Sequence, residues 1–247
     1  MSAPASADGP LAATLGEEHR ARRNWARVAG FLYVATNVTA TLGFMIKSGV
    51  AVRGNAAATV ANLAASGNLY RSSLALELVT VAGVIPLVVG LYVALRPVAP
   101  NLALLAAFWR LMENAVLAVL TLGSFLALAL VARSPALGDP QAMPALVAAL
   151  LYVHTYGFQI GFLFLGLGST LFSWLWWRSR MIPRWLAGLG LFASALMAVV
   201  ALAIIVEPGV YATVTMAYMA PMGLYEIGLG LWLLIRGIDP ERVSAAR

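Results

Sequence analysis

The chain has no cysteine among its 247 residues and only two histidines, His19 and His154. The first absence excludes disulfides, thiol catalysis, iron–sulfur clusters and cysteine-ligated zinc. The second excludes a haem held by two intramembrane histidines, because His19 lies in a polar segment. Charge is scarce too: 11% of residues are charged and 62% are hydrophobic, with a mean hydropathy of +0.86. Such values fall outside the range of a soluble globular domain. No phosphate loop, no H-E-x-x-H, no nucleophile elbow and no acidic cluster suited to Mg²⁺ and diphosphate occur. One histidine and two carboxylates at unrelated spacings give no support to a metal site, so neither metal nor cofactor is expected.

What is present is apolar sequence in runs long enough to cross a bilayer. Six spans are expected, over residues 28–46, 72–95, 102–131, 145–177, 185–206 and 215–235. The third and fourth exceed the roughly 20 residues a crossing needs, so they should tilt, kink or protrude. Residues 1–24 have no short apolar core or cleavage site and read as a disordered basic cytoplasmic tail rather than a removable signal. Residues 25–238 then form one transmembrane domain, and 239–247 a cytoplasmic C-terminal tail. With the N-terminus inside, the arginines of 20–27, 96, 178–184, 236, 242 and 247 all fall on the inner side, whereas only Lys47, Arg53, Arg71 and Arg133 lie outside. That asymmetry places both termini in the cytoplasm and the protein in the cell membrane. The same bias accounts for the net charge of +6 without nucleic-acid binding, which is not expected.

Smaller signals refine the layout. The first outer loop, 47–71, carries a weakly amphipathic stretch over 55–70, read as a plain surface helix rather than a cap on a cavity. Trp174, Trp176, Trp177 and Trp185 read as anchors at the inner water boundary. Gly157 and Gly161 form a G-x-x-x-G pair, continued by Gly166 and Gly168, and Gly223 and Gly230 suggest a similar surface in the sixth span. Pro86 and Pro221 remove backbone donors and are expected to bend their helices.

The chemistry lies in ionisable residues inside apolar runs, which a membrane does not tolerate facing lipid. Arg110 and Glu113 stand three apart in the third span, with Asn114 on the side of Arg110. From the rise of 1.5 Å per residue, Glu113 lies about 16 Å above the inner end of its span. His154 lies about 14 Å below the outer end of the fourth, and Glu226 about 16 Å below the outer end of the sixth. These depths predict that Arg110, Glu113, His154 and Glu226 converge near the midplane. Glu77, about 8 Å from the outer end, reads as an interface residue. Two carboxylates then face one permanent cation. Arg110 pairs with one, and the second is protonated or balanced by an imidazolium at His154. Tyr152, Tyr156, Gln159 and Tyr225 supply neutral hydrogen bonds. A structural pair that locks helix register is the plainer alternative.

Several stretches together resemble a family of bacterial membrane proteins, the domain of unknown function 4386. They are Ala26-Arg27-Val28-Ala29-Gly30, Arg96-Pro97, the Leu104-to-Arg110 stretch, His154 to Gly166, Ser179 to Gly188 and Glu226 to Gly237. The resemblance implies a bacterial protein of several spans and brings no activity with it. In layout alone the chain resembles small integral membrane terpene cyclases, with Glu77 and Glu226 as the analogous acidic pair. The function expected from these residues is binding of a lipophilic, lipid- or isoprenoid-like small molecule, converted by proton transfer. Glu113 or Glu226 would be the acid or base, His154 its proton partner and Arg110 the charge holder. A proton-coupled transporter or export factor, acting as a homodimer, and a non-catalytic sensor or assembly protein are the alternatives.

Overall fold

A computed structural model describes residues 8–52, 54–133, 142–214 and 217–239, with side chains from residue 14 onward apart from residue 155. Among these there is helix and no strand. The elements are α1 (Asp8–Val50), α2 (Ala56–Ala65), α3 (Gly67–Leu95), α4 (Pro100–Arg133), α5 (Ala142–Ser179), α6 (Arg184–Val206), α7 (Val210–Val214), a 3₁₀ turn (Ala217–Met219) and α8 (Ala220–Ile235). Six segments are long and apolar enough to cross a membrane, one each in α1, α3, α4, α5 and α6 and one formed by the 3₁₀ turn with α8. They support a multi-pass membrane protein.

The six long helices close into a ring. Each packs against the next in the chain, and α8 returns to pack against α1. One end of the ring gathers the start of α1, the α3–α4 and α5–α6 turns and the end of α8 (the terminal end). The other carries α2, which lies across α3, α4 and α5 (the capped end). Asn55 caps α2 by accepting a hydrogen bond from the Ala58 backbone at 2.9 Å. Leu63 is fully buried and meets Val50, Tyr70, Leu74 and Val147. The amphipathic stretch is therefore a cap, not a plain surface helix, because its few apolar residues face the exposed ends of three spans.

Glycines set the register between neighbours. On the α4–α5 face, Gly157 sits against Leu120, Gly161 against Leu117 and Gly168 against Arg110. On the α1–α3 face, Gly43 meets Glu77, Gly83 meets Thr36 and Gly90 meets Ala29. Without a side chain at these positions the backbones approach closely, which is how helices gain packing energy where the solvent is itself apolar.

Three expectations change. Helix α1 begins at Asp8, within the segment 1–24 expected to be a disordered tail. The Ala, Leu, Glu and Arg residues there favour helix, and buried Arg22 donates to the Ala94 carbonyl at 3.1 Å, tying the segment to the end of α3. Residues 1–7 of that tail and 240–247 of the C-terminal one lie outside the described residues. Helix α8 starts at Ala220 after the 3₁₀ turn, so Pro221, expected to bend its helix, occupies the first turn, where a missing N–H disturbs nothing. The expected start at 215 lies outside the described residues. Trp176 is wholly buried, with Phe172 and Leu186 in the core of the terminal half, whereas Trp185 is exposed.

Candidate functional site

Arg110 and Glu113 stand one turn apart on α4, facing the middle of the ring. Arg110 Nη1 is 2.9 Å from Glu113 Oε2, and the two side chains are only 3% and 6% exposed. Glu226 reaches the same point from α8, its Oε1 3.6 Å from Arg110 Nη2. That contact spans the ring, since α4 and α8 are not neighbours in it. Asn37, on α1, donates to Glu226 Oε2 at 3.1 Å and also to the Tyr33 carbonyl at 3.0 Å. Asn114 donates to the Val81 carbonyl of α3 at 2.9 Å. Below the centre, Ser173 of α5 donates to the Tyr225 hydroxyl of α8 at 2.9 Å. One guanidinium thus sits between carboxylates of α4 and α8, with α1 supporting Glu226 through Asn37.

The contacts are close but not fully used. Arg110 Nε and Asn114 Oδ1 are buried without a hydrogen bond, whereas Arg110 Nη1, Glu113 Oε2 and Glu226 Oε1 are held by the ion pairs alone. Buried polar atoms are normally satisfied, so the centre keeps capacity for a further polar group. Its formal charge, one cation and two carboxylates, is one unit negative.

His154 is not at this centre. It faces a second charged layer nearer the capped end. There Lys47 Nζ of α1 is 2.6 Å from Glu77 Oε1 of α3, 3.0 Å from His154 Nε2 and 3.1 Å from Ser124 Oγ of α4. Thr121 donates to Glu77 Oε2 at 3.1 Å, and His154 Nε2 lies 3.6 Å from Glu77 Oε1. From Glu113 to Thr121 along α4 the layers are about 12 Å apart. The predicted meeting of His154 with Arg110, Glu113 and Glu226 fails because depth was counted from helix ends. Helix α5 is 38 residues long and overshoots, and its glycine contacts put His154 opposite Ser124, not Glu113. Glu77 is half of an ion pair rather than an interface residue, and it does not face Glu226.

Sequence reasoning missed Lys47, assigned to a loop, and Asn37. Lys47 lies in the last turn of α1 with its side chain 11% exposed, because the helix runs on to Val50. The signal was there: apolar residues continue past Lys47, so it need not have marked a boundary. Asn37 is a lone amide in an apolar run, and such residues commonly bind a neighbouring helix. Of the tyrosines, Tyr225 joins the centre's surroundings, while Gln159 accepts from Tyr218 at 2.8 Å and Tyr152 stacks on Tyr156 elsewhere.

Between the layers one polar contact joins α1 and α3. The Thr39 and Thr80 hydroxyls meet at 2.7 Å across α1 and α3, one turn from Glu77 and two residues from Asn37. Toward the terminal end, beyond the Ser173–Tyr225 pair, the packing is mainly apolar among the described residues. Leu91, Leu95, Ala103, Leu175 and Trp176 fill that half, each almost fully buried.

A helical membrane bundle with two charged layers buried across its ring is the class that this fold and site define. The chain belongs to the family described as "Domain of unknown function (DUF4386)", whose model matches residues 28–237. No curated protein and no solved structure matches the chain.

Proposed function

We propose that the protein handles protons inside the membrane, at the Arg110–Glu113–Glu226 centre, and exchanges them with the polar group of a lipophilic small molecule. One observation carries this: two carboxylates share a single guanidinium in a site almost closed to solvent. An uncompensated ion there costs several kcal/mol, so the centre gains by taking up a proton or a cationic group. Glu226 is the exchanging acid, being 14% exposed and flanked on α8 by exposed Leu224 and Ile227. Arg110 holds the remaining charge. His154 takes no part in this centre, since it faces the Lys47–Glu77 layer.

The reading is tested by purifying the parent and its Glu226→Gln and Glu113→Gln variants and analysing bound lipophiles by mass spectrometry. A compound retained by the parent and lost from both folded variants is expected. An identical set of lipids in all three proteins would sink the proposal.

A second reading, proton-coupled transport, is favoured by the second buried charged layer of Lys47, Glu77 and His154, displaced along the bundle from the first. Solute movement in vesicles that follows a pH gradient, without chemical change in the solute, selects it. Both readings place the termini in the cytoplasm. The natural lack of cysteine allows a direct check with single variants Glu17→Cys and Ala57→Cys. An impermeant thiol reagent added to intact cells should label only Ala57→Cys; labelling of Glu17→Cys alone would reverse the orientation.

A further inference from the structure

The Lys47–Glu77–His154 layer lies outside the proposed centre, and its hydrogen-bond chemistry is decided by donor counting. An ammonium has three N–H donors and no acceptor. In this layer the three point at Glu77 Oε1, Ser124 Oγ and His154 Nε2. With Lys47 charged, Nε2 must offer its lone pair, so the ring proton sits on Nδ1. We propose that this layer is a second proton-binding site, at which His154 Nε2 holds either the Lys47 hydrogen bond or a proton from the water at the capped end.

The two states exclude each other. Loading forms an N–H bond at Nε2 and breaks the hydrogen bond from Lys47, so nothing is left over in the balance except the charge that the proton brings. Two cations then face one carboxylate, and the loaded ring turns its new N–H toward Glu77, whose Oε1 is already 3.6 Å away. Among the described residues, no further ion pair reaches Lys47, Glu77 or His154. Thr121 and Ser124 face the layer from α4, and Tyr70 of α3 has its ring centre 5.7 Å from Lys47 Nζ. Phe158 packs edge-on against His154 at 4.9 Å on α5 itself. Helix α2, which covers this end, contains no ionisable residue. Toward the interior, the Thr39 and Thr80 hydroxyls meet at 2.7 Å one turn from Glu77. This site does not rest on the proton-handling reading above.

Nitrogen NMR on the full chain in lipid nanodiscs tests this directly. His19→Gln leaves His154 as the sole histidine, so ¹⁵N-histidine labelling reports one ring. At about pH 8 the ring is expected to carry its proton on Nδ1 with Nε2 bare, and on acidification to about pH 5 both nitrogens should become protonated. Removing the ammonium with Lys47→Met leaves Glu77 needing a donor, so the neutral ring should move its proton to Nε2. The site is overturned by an Nε2–H ring in the Lys47-containing protein at about pH 8 or by a ring that stays neutral to about pH 5. An Nδ1–H ring that persists in Lys47→Met overturns it as well. These signals are read whether or not a lipophile is bound, so loss of the first proposal leaves this one standing.

Discussion

Replacing Arg110 by methionine is expected to destabilise the protein by about 3–5 kcal/mol, the cost of leaving buried charge without its partner. The guanidinium is the only cation at the centre among the described residues, and it touches carboxylates from two helices that are not ring neighbours. Methionine keeps much of the volume, so the loss reports charge and not a cavity. The control is the triple variant Arg110→Met, Glu113→Gln, Glu226→Gln. Removing all three charges together should recover most of the loss, because uncharged groups of similar shape carry no such penalty. Arg110→Lys should fall between, since a point charge lacks the planar fork that meets two carboxylates at once. Thermal unfolding in detergent or nanodiscs measures all three. A single Arg110→Met variant as stable as its parent would mean that the carboxylates are not held as anions by this residue.

Gly30→Val is expected to cost about 2–3 kcal/mol through overpacking at the α1–α8 contact. A Cβ there would lie 2.5 Å from the Leu234 backbone nitrogen and 2.7 Å from the Gly230 carbonyl oxygen, and neither can yield as a flexible side chain could. Helix α8 must therefore move away from α1. That shift also pulls Glu226 from Asn37, seven residues along α1 from Gly30, so the packing defect should weaken ligand retention at the centre. Gly223→Ala is the matched control, because a Cβ at Gly223 meets nothing within 4 Å. It should change stability by no more than about 0.5 kcal/mol. Equal losses at Gly30 and Gly223 in thermal unfolding would show that close approach of α1 and α8 is not what matters.

These two sites mark how far the sequence could be read. Gly223 and Gly230 are equivalent in a sequence scan, seven residues apart on one helix. Only the packing distinguishes Gly230, against Tyr33 and the Gly30 carbonyl, from Gly223, against nothing. Arg110, Glu113 and Glu226 were legible as a group because each is an ionisable residue deep in an apolar run. His154 was misplaced by counting depth from helix ends. A helix longer than the bilayer has no unique level, and a protruding turn moves every depth estimate by about 5 Å. Lys47 was read by the charge rule for loops, which describes where a lysine at a helix end usually goes and not which carboxylate it meets.

By itself, the amino-acid sequence determined the helical class, the number of apolar runs and the surplus of buried carboxylates over buried cations at Arg110. Those follow from composition and period, which are properties of single segments in an apolar solvent. The tertiary structure decided which polar groups meet: Glu226 with Arg110, His154 with Lys47 and Glu77, and α2 over the end of the ring. Pairings across helices depend on register and rotation, which are set by backbone approach at a few glycines. A shift of one turn, about 5.4 Å, separates an ion pair from two isolated charges.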